Sequence, residues 1–199
     1  MNQQLNLTSV IMSKHPKYKS CKKQKIFDNL ANQNFTVDEK NKVLCVDFTY
    51  MRQPNGKFRY NCTIIDLYDR SAIASVNSNY INTDFAIKTL KIALKQERPD
   101  IGLILHSDQG VQFSSWQFVS FCRDNNITQS MSKAGYPYDN SPMERFYNIF
   151  KNCFFYYRYS FDSTEMLDEM TTKYINWYNY VRPHSANNYN TPMETQYGA

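Results

Sequence analysis

KVLCVDFTYMRQPNGKFRYNCTIIDLYD, residues 42 to 69, contains two strands and the turn that joins them. Residues 42 to 51 are apolar and rich in strand formers, and Gln53-Pro54-Asn55-Gly56 is a strong turn signal, so a hairpin is expected. The return strand alternates at first and becomes continuously apolar at Thr63-Ile64-Ile65. After a turn at Asp69-Arg70, SAIASVNS (71 to 78) gives a third antiparallel strand. Asp47 lies inside the first strand, where an unpaired buried carboxylate costs several kcal/mol.

Beyond residue 80 the period changes. Ile87, Leu90 and Leu94 share one helical face between Asn82 and Glu97, and Pro99 stops the helix. A short strand is expected at IGLILH (101 to 106), a helix near 114 to 125, and a fifth strand at ITQSM (127 to 131). A helix opening near Ser141 carries Met143, Phe146, Tyr147, Phe150, Phe154 and Tyr157 on one stripe. A last helix from Ser163 to Val181 carries Leu167, Met170, Tyr174, Trp177 and Val181. This order predicts an α/β fold: a mixed five-stranded sheet with helices on both faces.

The chain of 199 residues suits one domain, and its 42% hydrophobic and 21% charged residues exclude wholesale disorder. Sixteen tyrosines and thirteen phenylalanines serve a core first, and base stacking second. The net charge of +5 is uneven: residues 13 to 25 hold Lys14, Lys17, Lys19, Lys22, Lys23 and Lys25 and no acid. Such a block suits a flexible arm that neutralises phosphates, or simply a solvated tail. Residues 1 to 40 are therefore expected to be a basic arm and linker, and 41 to 199 one folded domain. Five scattered cysteines without C-x-x-C spacing fit a reducing compartment, and no apolar run is long enough for a membrane span. The expected location is cytoplasmic.

Asp47, Asp108 and Glu144 form the candidate site. Asp108 follows the ILH strand end in a His-Ser-Asp-Gln-Gly turn, and Glu144 opens a helix. Each has a structural alternative: Asp47 as an ion-pair partner, Asp108 as a turn residue, and Glu144 as the end of a Ser141-Pro142-Met143-Glu144 capping box. Together they suit hard divalent cations, Mg²⁺ or Mn²⁺, and a pair of such ions supports phosphoryl transfer. Lys151, seven residues past Glu144, returns to nearly the same helical face, where it serves either to hold a DNA phosphate beside such ions or simply as a surface lysine. Glu144 is expected to be both cap and catalyst.

Thirty-five residues separate Asp108 from Glu144, a spacing that resembles the DD(35)E triad of retroviral integrases and related transposases. HSDQGVQFSS, ITQSMSKAGYPYDNSPMERFYNIFK, YINWYNYVRPHS and TPMETQY resemble the words of the IS-three family's second-reading-frame transposase, typically HSDQGSQY, SMSRKGNCYDNAPMESFF and WYNNRRPHS. The resemblance spans at least residues 41 to 197, and IFDNLANQNFTVDEKNK is similar to the segment leading into that family's catalytic domain. It implies a ribonuclease H-like fold, the integrase catalytic core, with Asp47, Asp108 and Glu144 as metal ligands and Lys151 as a DNA contact. It also implies metal-dependent cleavage at transposon ends and strand transfer into target DNA. The implied partners are DNA, further copies of the chain assembled on it, and the first-reading-frame helix-turn-helix protein, all at the nucleoid. Asp66 is assigned to turn or sheet-edge structure, His106 to support of the Asp108 loop, and His184 to structure. Leu44-Cys45-Val46 and Gly135-Tyr136-Pro137 depart from the family pattern. The chain is expected to be a truncated copy, so a non-catalytic DNA-binding remnant is the alternative.

Overall fold

A computed structural model of the chain describes residues 25–53, 56–99, 102–152 and 163–198. Strands β1 (Val43–Arg52), β2 (Phe58–Asp66) and β3 (Ala72–Ser78) form the expected antiparallel meander. Strand β4 (Ile104–Ser107) joins β1 in parallel, and β5 (Thr128–Met131) joins β4 in parallel, giving the order β3-β2-β1-β4-β5. Strand β4 is shorter than its apolar run suggests. Gly102, at φ 104°, holds a backbone conformation that a strand does not use, and pairing with β1 begins with Val43 opposite Ile104.

Alternation along β1 sorts its side chains between two cores. Leu44 and Val46 face helices α1 (Thr83–Glu97) and α2 (Trp116–Asp124), whereas Cys45 and Met51 face α3 (Ser141–Phe150) and α4 (Thr164–Tyr180). Helices therefore cover both faces, as the element order predicts. Helix α1 starts where expected because the Asn82 side chain accepts the Phe85 N–H, and it stops at Arg98 (φ 46°) before Pro99.

A cluster of aromatic rings packs between α3 and α4. The fully buried Phe146 ring lies 4.9 Å from Tyr178, 5.9 Å from Tyr174 and 6.1 Å from Phe150. Phe154 and Tyr157, the end of the expected α3 stripe, lie outside the described residues. Burial pushes the Cys45 and Cys122 thiols up to about 12, so both pack as neutral groups.

Residues 25–41 form no helix or strand, and part of this segment lies along the outer strand. Met131 N–H donates to the Asp28 carbonyl at 3.2 Å and Leu30 N–H to Ser130 Oγ at 2.9 Å. The free edge of β5 is thereby covered. A short helix, α5 (Pro192–Tyr197), and a 3₁₀ turn at Pro137–Asn140 are further elements. Among the described residues no helix is long and apolar enough to cross a membrane.

Candidate active site

Strand register brings the first two acids together. Cys45 pairs with His106 in the parallel β1–β4 ladder, so Asp47 and Asp108 each stand two residues further along neighbouring strands. Asp47 is half-buried; its Oδ1 accepts the Phe48 N–H at 2.7 Å and its Oδ2 the Asn140 side-chain amide at 3.1 Å. Asp108 is exposed at the strand end and accepts the Gly110 N–H at 2.9 Å. Glu144 projects from the first turn of α3. The three carboxylates line one open cleft of about 510 Å³, together with Asn140, Lys133 and Tyr136.

The charges in this cleft act on one another. Burial first and then Asp108 push the Asp47 carboxyl up to about 7; the Phe48 N–H opposes them, Glu144 adds a smaller push, and Lys151 a still smaller opposing pull. Lys151 leans toward the same group, with Nζ 4.5 Å from the Tyr50 ring centroid, and burial lowers its own pKa.

Glu144 is not a cap. Helix α3 runs on from the 3₁₀ turn, Ser141 is already helical at φ −56° and ψ −30°, and no side chain caps the start. A capping box needs an extended residue before the first turn, which the preceding turn denies. The Glu144 carboxylate is left for the cleft.

The 3₁₀ turn is itself pinned. His106 is buried, with Nδ1 2.9 Å from Ser130 Oγ and Nε2 2.8 Å from the Asp139 carbonyl oxygen. Its ring therefore ties β4 to β5 and to this turn, which corrects the expected support of the Asp108 loop. The Asp139 carboxylate accepts the Lys133 N–H at 3.0 Å, Gln33 Nε2 at 2.7 Å and Asn29 Nδ2 at 2.8 Å, bonds that hold its pKa below the ordinary range. Asn140 follows directly and reaches Asp47, so segment 29–33 braces the turn that orients the Asp47 carboxylate. The sequence did not single out Asn140, Asp139 or Gly110. Their signal is position: each lies within two residues of a candidate acid or of the helix that carries one.

The donor set suits a hard divalent cation: three carboxylates, plus the Asn140 Oδ1, which is buried without a hydrogen-bond partner. Among the described residues no group of three or more acidic, histidine or cysteine side chains is drawn close enough to hold an ion. Three like charges around an open cleft repel one another, which the raised Asp47 pKa also expresses. Gly110 guards the arrangement: a Cβ there would lie 2.8 Å from Asp108 Oδ1 and 2.8 Å from Gln112 Oε1. Gly110→Ala is therefore expected to turn the Asp108 carboxylate aside, weakening Mn²⁺ binding in a titration about 10- to 100-fold. Its melting temperature should stay within about 2 °C of wild type, because only side-chain tips must move.

Asp66 sits apart at the end of β2, accepting Asn41 N–H at 2.7 Å and Tyr68 N–H at 2.8 Å, in the turn role expected of it. Lys25 lies over the Phe27 ring at 4.9 Å, while Lys14, Lys17, Lys19, Lys22 and Lys23 lie outside the described residues.

The family described as "Integrase core domain" matches residues 37–137, and a second family of the same description matches residues 125–192. This chain belongs to the integrase core domain family. An uncharacterized transposase-like protein of Haemophilus influenzae is 34% identical over 161 residues, covering 79% of this chain and 71% of that protein. The transposase for insertion sequence element IS904 of Lactococcus lactis is 32% identical over 166 residues, covering 83% of this chain and 65% of the relative. Transposase InsF for insertion sequence IS3A of Escherichia coli is 30% identical, covering 80% of this chain and 55% of the relative. The integrase-core chain thus spans between about half and two thirds of the length of the IS904 and IS3A transposases.

Solved integrases share the fold. The HTLV-2 integrase catalytic core domain in complex with magnesium, in its trimeric form, superposes with a TM-score of 0.62 at 16% identity, covering 78% of this chain and 95% of that one. A simian T-cell lymphotropic virus intasome, solved in complex with PP2A regulatory subunit B56 gamma, gives a TM-score of 0.68 at 14% identity over 87% of this chain and 59% of that one. The expected ribonuclease H-like core is the fold observed.

Proposed function

We propose that this chain is the catalytic core of a DDE transposase that cleaves DNA at transposon ends and transfers the strands into target DNA. The observation that carries the proposal is the convergence of Asp47, Asp108 and Glu144, from a central strand, a neighbouring strand end and a helix, on one open cleft. Family membership supports it, as do relatives named as transposases. Asp47, Asp108 and Glu144 would hold Mg²⁺ or Mn²⁺, and a relative of the same fold was solved with magnesium. A pair of such ions, when bound, supplies Lewis-acid activation of the attacking oxygen and stabilisation of the leaving one.

The chain's own residues set the geometry. Asn140 and the Phe48 N–H fix the orientation of the Asp47 carboxylate, and the Gly110 N–H fixes that of Asp108. The open cleft leaves room for a phosphodiester held in line with water or a 3′-hydroxyl. Lys151 and the lysines at 14, 17, 19, 22, 23 and 25 would hold DNA phosphates, with residues 1 to 40 as the arm and 41 to 199 as the catalytic domain. Joining two transposon ends needs more than one active site, so the working form is an oligomer on DNA at the nucleoid, with the first-reading-frame protein as an added partner.

The test is nicking of supercoiled plasmid by the purified chain with Mg²⁺, Mn²⁺ or EDTA. Nicking that needs the cation and disappears in Asp108→Asn supports the proposal. DNA binding without nicking in any cation would instead make the chain a non-catalytic DNA-binding protein.

A further inference from the structure

Helix α3 separates two unlike sites. Glu144 faces the acidic cleft, while Ser141, Arg145 and Ile149, at i, i+4 and i+8, line a second pocket of about 220 Å³ on another face of the same helix. Arg70, Arg182 and His184 also line that pocket. Among the described residues no carboxylate lies within ion-pair distance of Arg70, Arg145 or Arg182. Arg182 stacks its guanidinium 5.7 Å from the Tyr178 ring centroid, and the His184 ring meets the same tyrosine edge-on at 4.8 Å. Arg182 Nη1 and His184 Nε2 are buried with no hydrogen-bond partner in the protein.

Three arginines have thus been gathered around a cavity whose lining holds no acid, and of these Arg70 also donates to the Phe35 carbonyl at 2.7 Å. Burial and the neighbouring charges of Arg182, Arg70 and Arg145 drive the His184 pKa down to about 4. Arg182 Nη1 is a buried donor left unpaired, which points to an absent acceptor, and His184 Nε2 joins it in the tautomer that carries its proton there. Arginine forks match the oxygens of a phosphate, and the volume lies below the roughly 300–1,000 Å³ of pockets for drug-sized ligands.

We propose that Arg70, Arg145, Arg182 and His184 form a phosphate-binding pocket that takes a backbone phosphate of the DNA held at the acidic cleft. The choice of DNA rests on the proposed function, and on α3 presenting Glu144 and Arg145, adjacent residues, to the two sites. A strand crossing this helix offers a phosphate about every 3.4 Å along the duplex axis.

The test has two arms. First, the melting temperature of the full chain is followed in inorganic phosphate against sodium chloride of equal ionic strength. Wild type should gain several degrees, while Arg182→Gln and Arg145→Ser forfeit most of that gain. Arg145 lies on the exposed side of the helix, so Arg145→Ser remains informative if Arg182→Gln does not fold. Second, DNA affinity is measured against salt concentration with EDTA present. Each variant should flatten the log–log slope by about 0.9, as expected when the protein neutralises one phosphate fewer. A phosphate gain with unchanged DNA slopes would overturn the DNA assignment and leave a site for free anions. No phosphate gain and unchanged slopes would overturn the pocket altogether. A wild type that binds no DNA would retire the DNA occupant and the proposed function together, even if the arginine-dependent phosphate gain persists.

Discussion

Asp47→Asn is expected to abolish nicking and yet stabilise the metal-free protein at pH 8. The carboxyl titrates near 3.8 when unfolded and at about 7 when folded, pushed up by burial and by the charges of Asp108 and Glu144. Between these values the folded state binds more protons than the unfolded one. Wild-type stability therefore falls as pH rises through the window from about 4 to about 7, and is flat above it. Asparagine carries no charge and escapes that loss, though one of the two bonds from Phe48 N–H and Asn140 now meets an amide group less suited to it. A net gain of roughly 1–2 kcal/mol is expected at pH 8, or about 3–6 °C in Tm, shrinking to nothing near pH 4. Nicking should fall at least about 10³-fold, the loss of several kcal/mol of metal-dependent stabilisation. Thermal melts in EDTA from pH 4 to 8, repeated with Mn²⁺, read both effects. Mn²⁺ should raise the wild-type Tm more at pH 8 than at pH 5, because cation and proton compete for one carboxylate. A variant less stable than wild type at pH 8 would remove the charge-repulsion account of the cleft.

Glu144→Gln is the second large effect, and it separates chemistry from folding. No capping bond involves Glu144, so the glutamine should leave Tm within about 1 °C while nicking falls at least about 10³-fold. The control is built into the same chain. Thr191-Pro192-Met193-Glu194 repeats the Pro-Met-Glu word of Ser141-Pro142-Met143-Glu144, and there the box is formed: Thr191 N–H donates to Glu194 Oε2 at 2.7 Å and Glu194 N–H to Thr191 Oγ1 at 3.1 Å. Glu194→Ala should cost on the order of 0.5–1 kcal/mol of stability and leave nicking near wild type. If the two substitutions exchanged their effects, the assignment of Glu144 to the cleft would fail.

Much of this molecule is local in origin. The meander followed from strand formers and a Gln-Pro-Asn-Gly turn, and α1 from its apolar spacing and Pro99, because those signals act over a few residues. The acids could be read as candidates for the same reason: a carboxylate inside an apolar strand is conspicuous wherever the chain goes. Where local signals fail, the cause is equally physical. Gly102 shortened β4, and nothing in the apolar run 101 to 106 announces a backbone at φ 104°.

Sequence by itself determined the five strands, helices α1 to α4, their order and the three candidate acids, since propensity, hydrophobic period and charge are properties of short stretches. Tertiary structure decided which acid belongs to which job. Two Pro-Met-Glu words with equivalent capping residues meet different fates. The second is entered from an extended Thr191 at φ −67° and ψ 160° and closes its box. The first is entered from a 3₁₀ turn that His106, Asn29 and Gln33 hold from distant parts of the chain, which makes Ser141 helical and leaves Glu144 for the cleft. Those bonds span 33, 110 and 106 residues, beyond the reach of any local signal.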